Sequence, residues 1–281
     1  MRAAGEESRG VQQRMRLKQT LASAGKTALA KSFNVRLFSD IHERGAEFGA
    51  PLPDGRKRRA RHALIANTGV LFIHVPKNAG TSICRSLYGQ EMEHRSIRYF
   101  AARQPELAKL PSVAVVRNPV DRFISAFRHA RSGGGHDRTL ADTFRTEYAA
   151  FRSLDDALDH VEAAKNWYQV DHIFRPQSWY VCNADGHIAV QRLFDMSNMG
   201  ALRSFLFPNR QEDIPRVNAS ISPTVTASPE QIERIRSIYS QDYELLRSQA
   251  YRPARTAAAK QIRGRAHTSP AWPGDLAPAA T

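Results

Sequence analysis

Two short segments of this chain combine a cation, hydroxyls and a tight turn in an order that suits an anion. The first is Leu71–Ser82, LFIHVPKNAGTS, in which an apolar run leads into Pro76, Lys77, Asn78, Ala79, Gly80, Thr81 and Ser82. A buried strand followed by a turn and a helix presents successive backbone N–H groups and a helix N-terminus to one point, where phosphate or sulfate is attracted. Lys77 adds a point charge, Thr81 and Ser82 add hydroxyl donors, and Gly80 is expected to let the backbone approach the anion closely. The order is not that of a Walker A loop, because the lysine precedes the glycine. The second segment is Val113–Phe127, VAVVRNPVDRFISAF. Its apolar run ends in Arg117, Asn118 is placed to cap a helix with Pro119 at its first position, and Ser125 follows on that helix. An arginine at the C-terminal edge of a strand stands where α/β folds bind ligands. Neither run ends in an aspartate of the Walker B type, so no Mg²⁺ and no other metal is implied.

A base is the remaining chemical need. Of the 10 histidines, His94 in EMEHRSIRYF and His172 in VDHIFRPQ are the best placed, with Glu93 as a lesser candidate. An unperturbed imidazole, with a pKa of about 6.5, suits a base at neutral pH. Trp167, Tyr168, Trp179 and Tyr180 flank the His172 segment, where packing in the core is favoured over stacking on a sugar. AGKT at Ala24–Thr27 lacks the first glycine and the strand of a Walker A loop, and Asn218–Ser220 is a sequon with meaning only in a secretory compartment.

Taken as a pair, the two anion-binding segments resemble those of the sulfotransferases that use 3′-phosphoadenosine 5′-phosphosulfate (PAPS), and among these the carbohydrate and heparan 2-O-sulfotransferase branch with its bacterial relatives. The resemblance runs through HIFRPQSWYV (His172–Val181), VQRLFDMSNM (Val190–Met199) and RVNAS before the last helix, although Asp195 stands where many relatives carry glutamate. It implies that Pro76–Ser82 hold the 5′-phosphosulfate and that Arg117 and Ser125 hold the 3′-phosphate. It further implies PAPS as donor, adenosine 3′,5′-bisphosphate as product, and a glycan or similar polyhydroxylated molecule as acceptor. Lys77 would neutralise the departing phosphate. His94 is the base the resemblance favours, because the branch carries its catalytic histidine between the two motifs, ahead of an Arg–aromatic pair like Arg98–Tyr99. The His172 segment would line the acceptor pocket.

The elements that must position these residues alternate between strand and helix. Val70–Val75 and Val113–Val116 read as buried parallel strands and Thr81–Tyr88 as a helix. In the helix after Asn118, Val120, Phe123, Ile124 and Phe127 share one face, and Asp121, Arg122, Ser125 and His129 share the other. Ser132–Gly135 reads as a loop, Thr139–Phe151 and Ser153–Ala164 as helices opened by hydroxyl caps, and Trp179–Cys182 with His187–Phe194 as a hairpin around Asn183–Gly186. Ser228–Gln231 is a capping box that opens the last helix. The expected fold is α/β, a three-layer P-loop-like parallel sheet flanked by helices, forming a single domain with flexible basic tails.

Charge follows the same division. The chain has 41 basic and 27 acidic residues, a net of +14, but residues 63–251 hold 22 and 20, a net of only +2. The excess lies in a basic arm at 1–62, with Pro51–Arg61 as an exposed linker, and in an Ala/Pro-rich tail at 252–281. No nucleic-acid function is therefore favoured, and a chain without residues 1–61 and 252–281 is expected to keep nucleotide binding. The rival classes are a P-loop-type kinase, against which the Walker order speaks, and a non-catalytic nucleotide- or nucleic-acid-binding protein. No run approaches the roughly 20 apolar residues of a membrane span, and together with the Ala/Arg-rich composition this leads to the expectation of a bacterial cytoplasmic enzyme.

Overall fold

Three runs rich in branched and aromatic residues lie side by side as parallel strands, β1 (Leu71–Ile73), β2 (Ser112–Val116) and β3 (Arg192–Asp195). β2 is central, with Leu71 opposite Ser112 and Val113 opposite Arg192. All residues of β1 and β2 are buried, as a sheet covered by helices on its faces requires. The computed structural model describes residues 25–50, 52–135, 138–208 and 225–249. In chain order its principal helices are α1 (Ile41–Glu47), α2 (Arg56–Thr68), α3 (Gly80–Tyr88), α4 (Ile97–Arg103), α5 (Pro119–Arg131), α6 (Asp142–Ala149), α7 (Leu154–Glu162), α8 (Gln177–Val181), α9 (Met199–Leu206), α10 (Pro229–Ile238) and α11 (Ser240–Gln249). The architecture is a mixed α/β domain with helices flanking a three-stranded parallel sheet.

The expected apolar face of α5 is the one that is buried. Phe123 and Phe127 join Phe144, Tyr148, Leu158, Phe174 and Tyr239 in one cluster, with Val120 and Ile124 against it. Burying each of those large side chains contributes about 1.5–3 kcal/mol. Two helix starts follow their local signals. Ser153 caps α7 reciprocally with Asp156, and Ser228 caps α10 reciprocally with Gln231.

Several elements differ from the sequence reading, each for a physical reason. Arg122, placed on the polar face, is fully buried, because its guanidinium donates to the carbonyls of Ile173, at 3.1 Å, and Arg175, at 2.5 Å. Thr139 does not open a helix. It pairs in a two-residue antiparallel ladder, Arg138–Thr139 against Gly134–Gly135, and α6 starts at Asp142. Trp179 lies in α8 rather than in a hairpin strand, and the hairpin shrinks to a single bridge between Cys182 and Ile188. The last helix breaks at Tyr239, whose hydroxyl donates to the carbonyl of Phe174 at 2.7 Å.

The largest difference concerns the expected arm. Residues 25–32 are helical, and Leu37 sits in the main core cluster. Asp40 and Glu43 are buried, Asp40 against Arg175 and His172, and Glu43 against Ser96. Most of Pro51–Arg61, read as a linker, is the first turns of α2, where Arg58 and Arg61 pair with Glu93. The RVNAS segment with its sequon, the Ala/Pro-rich tail and the first residues of the arm lie outside the described residues.

Candidate active site

The turn after β1 holds its shape against backbone strain. Lys77 and Ala79 take φ values of +67° and +59°, while Asn78 between them does not. Left-handed non-glycine residues cost on the order of 1–3 kcal/mol each, so surrounding contacts must hold them. Asn78 is buried, and its amide nitrogen donates to the carbonyl of Val115 at 2.9 Å and to Gln177 Oε1 at 2.7 Å. Both donors of the Asn78 side-chain amide are thus spent on the fold. Alternation of φ sign along successive residues is the geometry of a nest, in which consecutive N–H groups converge on one anion. The nest opens directly into the N-terminus of α3, which begins at Gly80.

Gly80 has a role the sequence did not suggest. A Cβ at this position would stand 3.0 Å from Cγ of the His74 ring and nearer still to Cδ2 and Nε2. Glycine is required there by the packing of His74, which is itself buried and donates from Nδ1 to the carbonyl of Met92 at 3.3 Å. Thr81 is half-buried and Ser82 buried in the first turn of α3.

The second anion element begins where β2 ends. Arg117 is half-buried, and its backbone is held on both sides by Gln177: its N–H donates to Oε1 at 2.8 Å and its carbonyl accepts from Nε2 at 2.8 Å. Asn118 then caps α5 by accepting from Val120 N at 2.9 Å. Ser125 is half-buried on α5, and His129 follows one turn later. Burial, and next the Lys77 ammonium, press the His129 imidazole down to a pKa of about 4. The cation of the first segment is therefore near enough to act on the helix of the second.

Three imidazoles line up beside the nest. The ring centroids of His74 and His94 are 4.0 Å apart, and those of His94 and His172 are 5.5 Å apart. His94 Nδ1 lies 3.0 Å from the carbonyl of His74. A carbonyl only accepts, so Nδ1 carries the proton and Nε2 is the basic nitrogen. Burial, and then the neighbouring His74 and His172, hold the His94 pKa well below the ordinary 6.5, which keeps the ring neutral at neutral pH. His172 Nε2 donates to Asp40 Oδ1 at 2.6 Å. Burial alone would raise the Asp40 pKa, but Arg175 and His172 together hold it well below the usual carboxylate range.

Glu93 is not suited to be a base. Arg58, Arg61 and Arg95 hold its carboxylate at 3.2, 2.7 and 2.8 Å. Burial works the other way, yet these guanidiniums bring its pKa down to about 2. Tyr168, Trp179 and Tyr180 are buried, with the Arg175 guanidinium 4.9 Å and that of Arg98 5.2 Å from the Trp179 ring centroid, so they serve the core.

Asp40, His74, Gln177 and Asp242 were not found from sequence. His74 lies inside the first segment, at a strand end, and that position was its signal. Gln177 lies inside HIFRPQSWYV. Asp40 and Asp242 carry no local signal.

A nest-like turn, a strand-end arginine and a cluster of oriented imidazoles thus lie together beside the parallel sheet of an α/β domain. A family model described as the sulfotransferase family matches residues 62–248. The chain belongs to the sulfotransferase family. No curated protein and no solved structure matches it. Among the described residues no helix is long and apolar enough to cross a membrane.

Proposed function

We propose that this sulfotransferase moves a sulfuryl group from PAPS to a hydroxyl of a glycan or similar polyhydroxylated acceptor. The observation that carries the reading is the joint placement of two anion elements on neighbouring strand ends, with Lys77 near α5 and a neutral, oriented His94 beside the nest. The acceptor oxygen forms a bond to sulfur, the bond between sulfur and the 5′-phosphate oxygen breaks, and the acceptor proton passes to His94 Nε2. Lys77 and the N–H groups of the turn offset the charge left on the phosphate. Arg117 and Ser125 take the 3′-phosphate, and His172 lines the acceptor side. The P-loop-like character of the sheet belongs to the same reading.

The direct test is transfer of ³⁵S from labelled PAPS to a panel of glycans and small polyols. It is paired with binding of adenosine 3′,5′-bisphosphate against ATP–Mg²⁺ and against DNA in a salt series. Labelled product together with preference for the bisphosphate supports the reading. Preference for ATP–Mg²⁺ would favour a kinase.

Two predictions follow from the assigned roles. Arg117→Ala and Ser125→Ala weaken PAPS and adenosine 3′,5′-bisphosphate, and change adenosine 5′-phosphosulfate much less, because that ligand lacks the 3′-phosphate. Calorimetry showing equal losses for both ligand types rules the assignment out. His94→Ala lowers kcat by about 10²-fold or more with little change in PAPS affinity, the range expected of a general base. His94 must be neutral to act and its pKa lies well below 6.5, so wild-type kcat stays level as the pH falls through 6.5 and drops only below the lowered pKa. His172→Ala acts chiefly on acceptor KM. If His172→Ala loses kcat and His94→Ala does not, the two roles are exchanged.

A further inference from the structure

We propose that Gln177 fixes the spacing between the two anion elements, and so makes this chain select nucleotides phosphorylated at both the 3′ and the 5′ position. The proposal rests on the functional reading above, which gives the two elements one phosphate each.

Gln177 has no exposed surface, and both its Oε1 and its Nε2 are hydrogen-bonded. Oε1 accepts from Asn78 Nδ2 at 2.7 Å and from the Arg117 N–H at 2.8 Å, and Nε2 donates to the Arg117 carbonyl at 2.8 Å. Asn78 sits between the two left-handed residues of the nest, and Arg117 is the strand-end cation. One side-chain amide thus joins the nest to the other element, and grips the Arg117 backbone as a neighbouring strand would.

The amide is itself anchored from behind. The N–H groups of Gln177 and Ser178 donate to the two oxygens of the buried Asp242 carboxylate on α11, at 2.9 and 2.8 Å. Just upstream, the carbonyls of Ile173 and Arg175 are held by Arg122, and that of Phe174 by Tyr239. Gln177 therefore stands on a segment tied to α5, to Tyr239 at the end of α10, and to α11, and it cannot follow either anion element independently.

A ligand with two phosphates gains from both sites only when they are held at its own span. The second contact is then made at a high effective concentration. If the sites drift, each still binds its phosphate and only the coupling is lost. Loosening Gln177 should therefore harm the bisphosphate and spare each monophosphate.

The experiment titrates wild-type protein, Gln177→Glu and Asp242→Asn with adenosine 3′,5′-bisphosphate, adenosine 5′-monophosphate and adenosine 3′-monophosphate, with folding checked by circular dichroism. Gln177→Glu keeps the size and the Oε1 acceptor, loses the donor to the Arg117 carbonyl, and adds a negative charge that weakens the binding of every phosphate; the two monophosphates read that charge effect. Asp242→Asn loosens the anchor without touching either anion element, and keeps the test open should the first variant not fold. For Gln177→Glu the expected result is a bisphosphate loss about tenfold or more beyond the product of the two monophosphate losses, and for Asp242→Asn, which adds no negative charge, a weaker bisphosphate loss with less than about twofold for each monophosphate. For Gln177→Glu the bisphosphate deficit, taken as a ratio to wild type at the same pH, shrinks as the introduced carboxyl is protonated and regains a donor. Equal losses for all three ligands, or no loss, overturn the proposal while leaving the functional reading in place. Wild-type protein that does not bind the bisphosphate overturns that reading, and this proposal with it.

Discussion

Replacing Lys77 by alanine lowers kcat by about 10²-fold while the melting temperature stays near that of the wild type. The side chain is half-buried at the mouth of the nest, and its ammonium acts across to His129 on α5. Removing a charge that meets the departing phosphate costs about 3 kcal/mol in the transition state, the scale of a deleted oxyanion-hole donor, or roughly 10²-fold in kcat. The left-handed backbone supplies a control. Lys77 has φ +67°, which alanine tolerates no better and glycine adopts freely. Lys77→Gly is therefore as inactive as Lys77→Ala but more stable, so the loss of activity does not follow stability. Loss of the ammonium also removes the second cause of the low His129 pKa, and the imidazole titrates above its present value of about 4. Single-turnover kinetics and thermal melts on both variants, with NMR titration of His129, check all three effects. Near-normal kcat in either variant refutes the role of Lys77.

The parts of the site legible in the sequence are those fixed by neighbours along the chain. The turn from Pro76 to Ser82, the Asn118 cap with Pro119, and the stripe of Phe123 and Phe127 each depend on residues within a few positions. Their spacing therefore carries the information. Contacts that lock the site span far greater distances in sequence. His172 meets Asp40 across 132 residues, Arg117 meets Gln177 across 60, and Gln177 meets Asp242 across 65. No periodicity can announce such pairs. A charged residue counts as polar in any helical stripe, which puts Arg122 on the outer face, whereas a guanidinium with two carbonyl acceptors can be buried. The RKRRAR run looked like a solvated linker for a related reason. Arginine is a good helix former, and two of these arginines are neutralised by Glu93, far along the chain.

Asp40 is where this long-range dependence has its largest expected effect on stability. One buried carboxylate receives His172 on Oδ1 and pairs with Arg175, whose guanidinium has no exposed surface. Asp40→Ala leaves that guanidinium with only the carbonyls of Trp167 and Val170 as hydrogen-bond acceptors. Stranding one member of a buried ion pair costs about 3–5 kcal/mol. For a domain of this size that corresponds to a fall in melting temperature of roughly 10 °C. The pH dependence identifies the cause. The folded-state pKa of Asp40 lies below its ordinary value of 3.8, so the pair stabilises the fold fully above that pH and loses its contribution as the pH falls further. The difference between wild type and Asp40→Ala is thus constant from neutrality down to about pH 4, and narrows below it. The same contacts bear on the expectation that a chain without residues 1–61 keeps nucleotide binding. Their removal takes Asp40 and Glu43 out of the core and leaves His172 without the carboxylate that sets its tautomer, whereas a chain starting at Gly25 keeps every contact described. Thermal melts of Asp40→Ala and of the two truncations between pH 3 and 7 test this. A chain starting at His62 that melts like the wild type would show that the Asp40 pair contributes little to the fold.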